Sequence, residues 1–320
     1  MPTFDFNCEV EETSWIVESI IPAGQLCVIL AQAGVGKSLV VESLAVCAIH
    51  DIPFCGFTTV SGDVLLIDQD TPQDVLKKRL IRFAKALDQP KKHELFVESM
   101  GNYYMSNNTL TKIILKYPTA RFVIIDSLHS ICGKFDPNST VDMNYLANIK
   151  QDCLIDGRSI LLNHHITQKV NYTVEDLMTG MTSSLSMGSS AVIQQADTYY
   201  IIGATAVDGK TERIFIRPVS KRVSIASKPL ILRMLQTESG GEKLEYEGSY
   251  EPDLNTVELD TIMLFRELPK ERTIKEVYEE MGHKHGEKAV RDTLEKLESK
   301  GRLMMSRHKS NLFRYKLPGN

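Results

Sequence analysis

The chain carries a single tryptophan in 320 residues, and its six cysteines (Cys8, Cys27, Cys47, Cys55, Cys132 and Cys153) include no C-x-x-C pair. No thiol pair of redox or zinc type is therefore signalled. Several of these cysteines fall inside apolar stretches, as reduced core thiols of a cytoplasmic protein do. Long hydrophobic runs are also missing. None approaches the ~20 residues of a membrane span, and Met1-Pro2-Thr3-Phe4-Asp5 is not a signal peptide. The expectation is a cytoplasmic protein without a membrane partner. Neither sign of charge dominates: the net charge is −4, which alone speaks neither for nor against nucleic acid. Its distribution says more, because Lys and Arg outnumber Asp and Glu between Met281 and Asn320 and no acid follows Arg302. What remains is the make-up of an ordinary globular chain, 42% hydrophobic and 24% charged. The length predicts two domains, or one large and one small.

One stretch organises the rest: Leu26-Cys27-Val28-Ile29-Leu30 running into Ala31-Gln32-Ala33-Gly34-Val35-Gly36-Lys37-Ser38. A buried-type strand passes into a small-residue loop, and Lys37-Ser38 open a helical pattern. Small residues let the backbone wrap phosphates with its N–H groups inward, and the helix presents its positive N-terminus. The segment Ala33 to Leu39 (Ala33, Gly34, Val35, Gly36, Lys37, Ser38, Leu39) is thus the expected cradle for ATP. Lys37 would reach the β- and γ-phosphates, and the Ser38 hydroxyl would sit on Mg2+. The phosphate-loop pattern asks for Gly at its first position, where this chain has Ala31.

Along the chain, Val64 to Asp68, Phe122 to Asp126 and Ile160 to Asn163 are continuous apolar runs of the kind found in parallel strands covered on both faces. Helical patterns separate them. Thr71-Pro72-Gln73-Asp74 predicts a helix start with Thr71 as N-cap. Thr198 to Ile202, Arg213 to Ile216 and Leu230 to Leu232 continue as strands, the first two forming an antiparallel hairpin around Asp208-Gly209. The fold class is α/β with a mainly parallel sheet. Composition turns polar between Gly240 and Asp253, which places a boundary between a domain over 1–248 and a second over 249–320. The second shows three helical patterns and a hairpin across His308 to Asn311, the winged-helix arrangement.

Three constellations carry chemistry. Asp126 ends a buried strand about 90 residues after Lys37, where a phosphate-loop ATPase keeps its magnesium-holding carboxylate. Asp70 lies just past the Val64–Asp68 strand and could orient or deprotonate the attacking water, with Asp68 as competitor. His164 and His165 end another strand and point to opposite faces, a poor chelate for one metal. His165 reads instead as a polar sensor of the γ-phosphate, or as a plain polar strand end.

The segments Ala31 to Ser38, Asp68-Gln69-Asp70-Thr71-Pro72, Ile124-Ile125-Asp126, Asn163-His164-His165 and Gly188-Ser189-Ser190 occur in the order of a known family. In that order they resemble the RecA-type ATPases of the plasmid RepA replicative-helicase group and, more distantly, DnaB, over roughly Trp15 to Leu235. The resemblance implies a RecA-like core, Mg-ATP hydrolysis at the interfaces of a homo-oligomer (a hexamer), and DNA held by loops facing a central channel. Relatives usually carry Glu at the position of Asp70 and Arg at that of Met187. By the same resemblance Lys221 and Arg222 complete a neighbour's site. Lys134, Phe135, Lys169 and Tyr172 are likewise where single-stranded DNA would touch. Lys284, Lys288, Arg291, Lys296, Lys300, Arg307 and Lys309 offer a second route to DNA through the winged helix; a solvated face or a protein-docking role is the alternative. The expected activity is a DNA-dependent ATPase motor, a helicase or translocase. The alternative is an ATP-gated DNA-binding regulator or loader that does not unwind.

Overall fold

The computed structural model describes residues 12–99, 107–132, 144, 146–148, 150, 151, 157–166, 173–179, 192–207, 210–225, 228–251, 256–267, 270–307 and 313–318. Lys134, Phe135, Lys169, Tyr172, Met187, Gly188 to Ser190, Asp208-Gly209 and Lys309 lie outside the described residues. The chain divides into two compact units, Met1–Tyr250 and Glu251–Asn320.

In the first unit a short hairpin, β1 (Trp15–Val17) and β2 (Ile21–Pro22), leads into β3 (Leu26–Ala31), every residue of which is buried. Helix α1 (Lys37–His50) follows, then β4 (Val64–Asp68), α2 (Gln73–Ala86) and β5 (Leu95–Ser99). Next come α3 (Asn107–Lys116), β6 (Phe122–Asp126), α4 (Leu128–Cys132), β7 (Ser159–His165) and α5 (Val174–Thr179). The unit closes with β8 (Thr198–Val207), β9 (Lys210–Ser220), β10 (Leu230–Gln236) and β11 (Glu242–Ser249). Among the described residues these strands form one nine-stranded sheet in the order β11-β10-β9-β8-β3-β7-β6-β4-β5. From β8 to β5 the pairs are parallel; from β8 to β11 they are antiparallel.

Burial on both faces explains the continuous apolar runs of β3, β4 and β6. Ile29, Leu66, Ile124 and Leu161 form one face of the core with α1 and with Leu76 of α2. Helix α1 is apolar almost all round because it is buried almost all round.

One expectation is corrected here. Thr71 is not the N-cap of α2: Pro72 holds that position, with no side-chain cap. The Thr71 N–H donates instead to Asp68 Oδ1 (2.8 Å), and its hydroxyl accepts from Arg79 (2.8 Å). The polar stretch between Gly240 and Asp253 contains β11, an edge strand paired with β10, and the compact units separate after Tyr250, within that stretch. An edge strand with one wet side tolerates the alternation of Glu242, Lys243, Glu245 and Glu247.

The second unit contains α6 (Thr256–Glu267), α7 (Ile274–Glu280), α8 (Glu287–Ser299) and a hairpin of β12 (Met304–Arg307) and β13 (Phe313–Lys316). Phe265, Val277, Val290, Leu294, Leu297 and Tyr315 make its own core. The fully buried Arg272 exchanges two backbone hydrogen bonds with Tyr315, pairs with Glu280 (2.7 Å), and lies over the Phe265 ring. A capping box of Thr273 and Glu276 starts α7.

Candidate active site

Strand β3 runs into the loop without its first-position glycine because none is required there. Ala31 is still part of the strand, paired with His165 of β7 and Ile202 of β8, and its carbonyl accepts from Ile166 N–H (2.9 Å). Left-handed backbone begins only at Gly34 (φ 81°) and Gly36 (φ 87°). At Gly36 a side chain is excluded twice over, since a Cβ would also lie 2.9 Å from Ile214 Cδ1.

Gly36 caps α1 with no side-chain hydrogen bond, and the first turn of the helix holds no acid. The N–H groups of Lys37, Ser38 and Leu39 therefore have no side-chain cap of the helix's own, and the helix dipole adds to their pull on an anion. This cradle fits a nucleotide polyphosphate. Lys37 is buried; burial pushes its ammonium pKa down, opposed by the carboxylates of Asp126, Asp70 and Asp68. The loop lysine and the expected carboxylates thus share one site.

β4 does not neighbour β3, because β7 and β6 lie between them. The acids still converge because they sit at the same, C-terminal ends of parallel strands, where open α/β sheets place ligands. Asp68 and Asp126 lie abreast in the register of β4 and β6.

Their roles separate by geometry. Asp68 is buried, and its Oδ1 accepts the N–H groups of Asp70 (2.9 Å) and Thr71 (2.8 Å). Burial pushes its pKa up. Asp68 folds the loop. Asp70, on that loop, is exposed and accepts a hydrogen bond from the Ser127 hydroxyl (2.8 Å), which aims its carboxylate toward the strand end of Asp126. His165 is half-buried, and its pKa is lowered by burial and by Lys37, against the pull of Asp70 and Asp126. The net effect favours the neutral imidazole. His164 is turned to the other face, where burial pushes its pKa down to about 4.

Sequence reasoning missed the layer beneath this site. Glu42, buried on α1, pairs with Arg79 of α2 (2.8 Å), and Arg79 also approaches Asp68 (4.0 Å) and bonds Thr71. The signal available was a charged residue inside an otherwise apolar helix. Burial raises the Glu42 pKa to about 8, with Arg79 lowering it and Asp68 and Asp126 raising it further. A carboxyl whose folded pKa exceeds its unfolded one favours the folded state below the unfolded value and loses that contribution as pH rises through the folded value. The contribution of Glu42 to stability is therefore expected to fall between about pH 5 and pH 8, against an opposite contribution from His164 below about pH 6.5. Glu42→Gln should flatten this slope in melting curves taken across that range; an unchanged slope would show that Glu42 is not its source.

Lys221 and Arg222 lie at the other end of the sheet. Ser220 pairs with Thr198 at the start of β8, and Asp197 N–H donates to the Leu26 carbonyl at the start of β3 (3.0 Å). The phosphate loop follows the opposite end of β3, about 20 Å away at strand rise. Neither cation serves its own phosphate loop. The Lys221 ammonium donates to the carbonyls of Ile193, Gln194 (3.2 Å) and Ala196 (3.0 Å). Arg222 pairs with Asp197 (2.6 Å) yet remains 55% exposed.

In the second unit, Lys284 pairs with Asp260 (3.2 Å), and Lys296 (2.7 Å) and Lys300 (3.9 Å) pair with Glu258, both acids belonging to α6. Exposed Glu287, Asp292 and Glu295 share the α8 surface with Lys288 and Arg291. Of the six described basic residues expected to face DNA there, four (Lys284, Arg291, Lys296 and Lys300) pair with the unit's own acids.

A mainly parallel sheet flanked by helices, with a glycine-lined phosphate loop opening α1 and an acid at the end of β6, defines a P-loop ATPase domain of RecA-like fold. Residues 2–169 match the family profile of the AAA domain, and the chain belongs to that family. No curated protein matches the chain. Among the described residues no helix is long and apolar enough to cross a membrane.

Proposed function

We propose that the protein hydrolyses Mg-ATP in an oligomer and couples hydrolysis to handling DNA, as a helicase or translocase. The observation that supports this reading is the convergence of Lys37, Asp126 and Asp70 at one sheet end, with His165 beside them. The N–H groups of Lys37 to Leu39 and the Lys37 ammonium hold the β- and γ-phosphates. Ser38 and Asp126 would hold Mg2+, which would supply neutralising charge at the phosphates. Asp70 takes the proton of the attacking water, and Ser127 keeps its carboxylate in place. His165, beside them, changes hydrogen-bond partner when the γ-phosphate leaves. Arg222 of an adjacent subunit supplies the cation that Met187 cannot.

The two aspartates give a direct test of this assignment. Asp70→Asn is expected to lower turnover by roughly 10²–10⁴-fold, the usual worth of a positioned base, while nucleotide affinity holds. Asp68→Asn should chiefly lower the melting temperature, because an amide accepts the Asp70 and Thr71 N–H groups less strongly. If Asp68→Asn proves the catalytically dead but stable variant, the roles are reversed.

A second reading, an ATP-gated regulator or loader, draws support from the α8 surface, whose mixed charge suits a protein partner better than duplex phosphates. Turnover with and without single-stranded DNA, alongside particle mass by light scattering, separates the two. Strong stimulation in a ring-sized particle supports the motor. A monomer or dimer without stimulation supports the regulator.

A further inference from the structure

Asn163 is a neutral amide inside a fully buried strand. It is 0% exposed, and neither Oδ1 nor Nδ2 has a hydrogen-bond partner among the described residues. Its neighbours on the same face are Leu161, one row earlier in β7, and Ile29 of β3, directly abreast. An apolar residue would satisfy that packing, and a buried amide without partners is costly.

Its position is what distinguishes it. β6 and β7 pair in register through Ile125 and Leu162, which carries Asn163 abreast of Asp126 on the face that α1 covers. Adjacent strands lie about 4.8 Å apart. Asn163 is therefore the side chain beside the magnesium carboxylate in the sheet, and it continues a polar row with Asp126 and Asp68 directly after apolar rows. Arg79 and Glu42 close the Asp68 end of that row. Asn163 lies at the other end.

We propose that Asn163 is a positioning residue for the magnesium site: its amide, unpaired among the described residues, would engage only when the cation is bound, donating through Nδ2 to Asp126 and accepting through Oδ1 from a cation-bound water. An amide suits both tasks because it offers a donor and an acceptor without adding charge beside Asp126 and Asp68. Removing a residue that orients a metal ligand typically weakens metal affinity by about 10–100-fold. The inference rests on the Mg-ATPase reading above.

The test uses Asn163→Leu and Asn163→Val in the full-length chain, with a fluorescent ADP analogue as probe. Affinity is measured in EDTA and across a magnesium titration, beside the melting temperature of the nucleotide-free protein. The expected result is a nucleotide-free protein melting at or above the wild-type temperature with unchanged affinity in EDTA. In magnesium, the affinity gain shrinks and the half-saturating concentration rises about tenfold or more. Should the leucine variant fold poorly, the smaller, β-branched valine carries the measurement, and the ratio of affinities with and without magnesium decides. A wild-type ratio in a folded variant overturns the proposal, whether the melting temperature rises or falls; a fall would assign the amide to the fold. If wild-type protein itself shows no magnesium-dependent binding and no ATP turnover, it is the Mg-ATPase reading that fails.

Discussion

Lys37→Ala is expected to remove ATP turnover, by on the order of 10²–10³-fold or more, in a protein that still folds. The ammonium is the one cation that the loop itself places among Asp126, Asp70 and Asp68, and the phosphates add several negative charges to that set. In the nucleotide-free chain the burial of Lys37 and its attraction to these acids oppose each other, so the change in melting temperature should be small. The clearest readout is linkage. Wild-type protein should melt higher in saturating Mg-ATP, by a stabilisation of about 2.7 kcal/mol at a hundred times the dissociation constant. Lys37→Ala should lose most of that shift. A mutant that hydrolyses ATP like wild type would remove the phosphate loop from the mechanism.

The second large effect is expected at Arg222, and it should depend on assembly. A cation reaching the transferring phosphoryl group from a neighbour is worth roughly 10³–10⁵ in turnover. Sequence left Lys221 and Arg222 as equals; the structure does not. Lys221 spans the carbonyls of Ile193, Gln194 and Ala196, where loss of its ammonium would leave acceptors unpaired and loosen the start of β8. Arg222 is largely exposed and tied at one side to Asp197. Arg222→Ala is therefore predicted to bind ATP normally and hydrolyse it at least a thousandfold more slowly. Lys221→Ala should lose stability first. Mixing Arg222→Ala with Lys37→Ala should restore activity, because some interfaces then join an intact loop to an intact arginine. No recovery despite verified subunit exchange would exclude Arg222 as a cation acting across an interface.

The parts legible in the sequence were those written in local pattern. The runs of β3, β4, β6 and β7 are unbroken because both faces of those strands are covered, and Gly34, Gly36 and Lys37 announce the loop. β11 was illegible as a strand because an edge with one wet side alternates Glu and Lys like a linker. The division of labour between Asp68 and Asp70 hangs on backbone hydrogen bonds two and three residues along, and composition does not encode those. Arg79 and Glu42 meet only because α1 and α2 pack side by side. Asn163 read as part of a polar motif with two histidines, and only its burial without a partner among the described residues sets it apart.

The pairing of β3 has a consequence for how the protein is made. This fully buried strand finds its two sheet neighbours at residues 160–165 and 198–202. A ribosome adding about 5–20 residues per second needs roughly 10–35 s to deliver the second of them after β3 itself has been synthesised. Throughout that interval Leu26 to Ala31 is an apolar segment whose permanent partners do not yet exist. In that interval the contacts available to it are those with α1, which follows it directly in the chain and covers one of its faces. The sheet that gathers the nucleotide-binding residues at one end thus leaves its central strand without both neighbours until residue 202 has been translated.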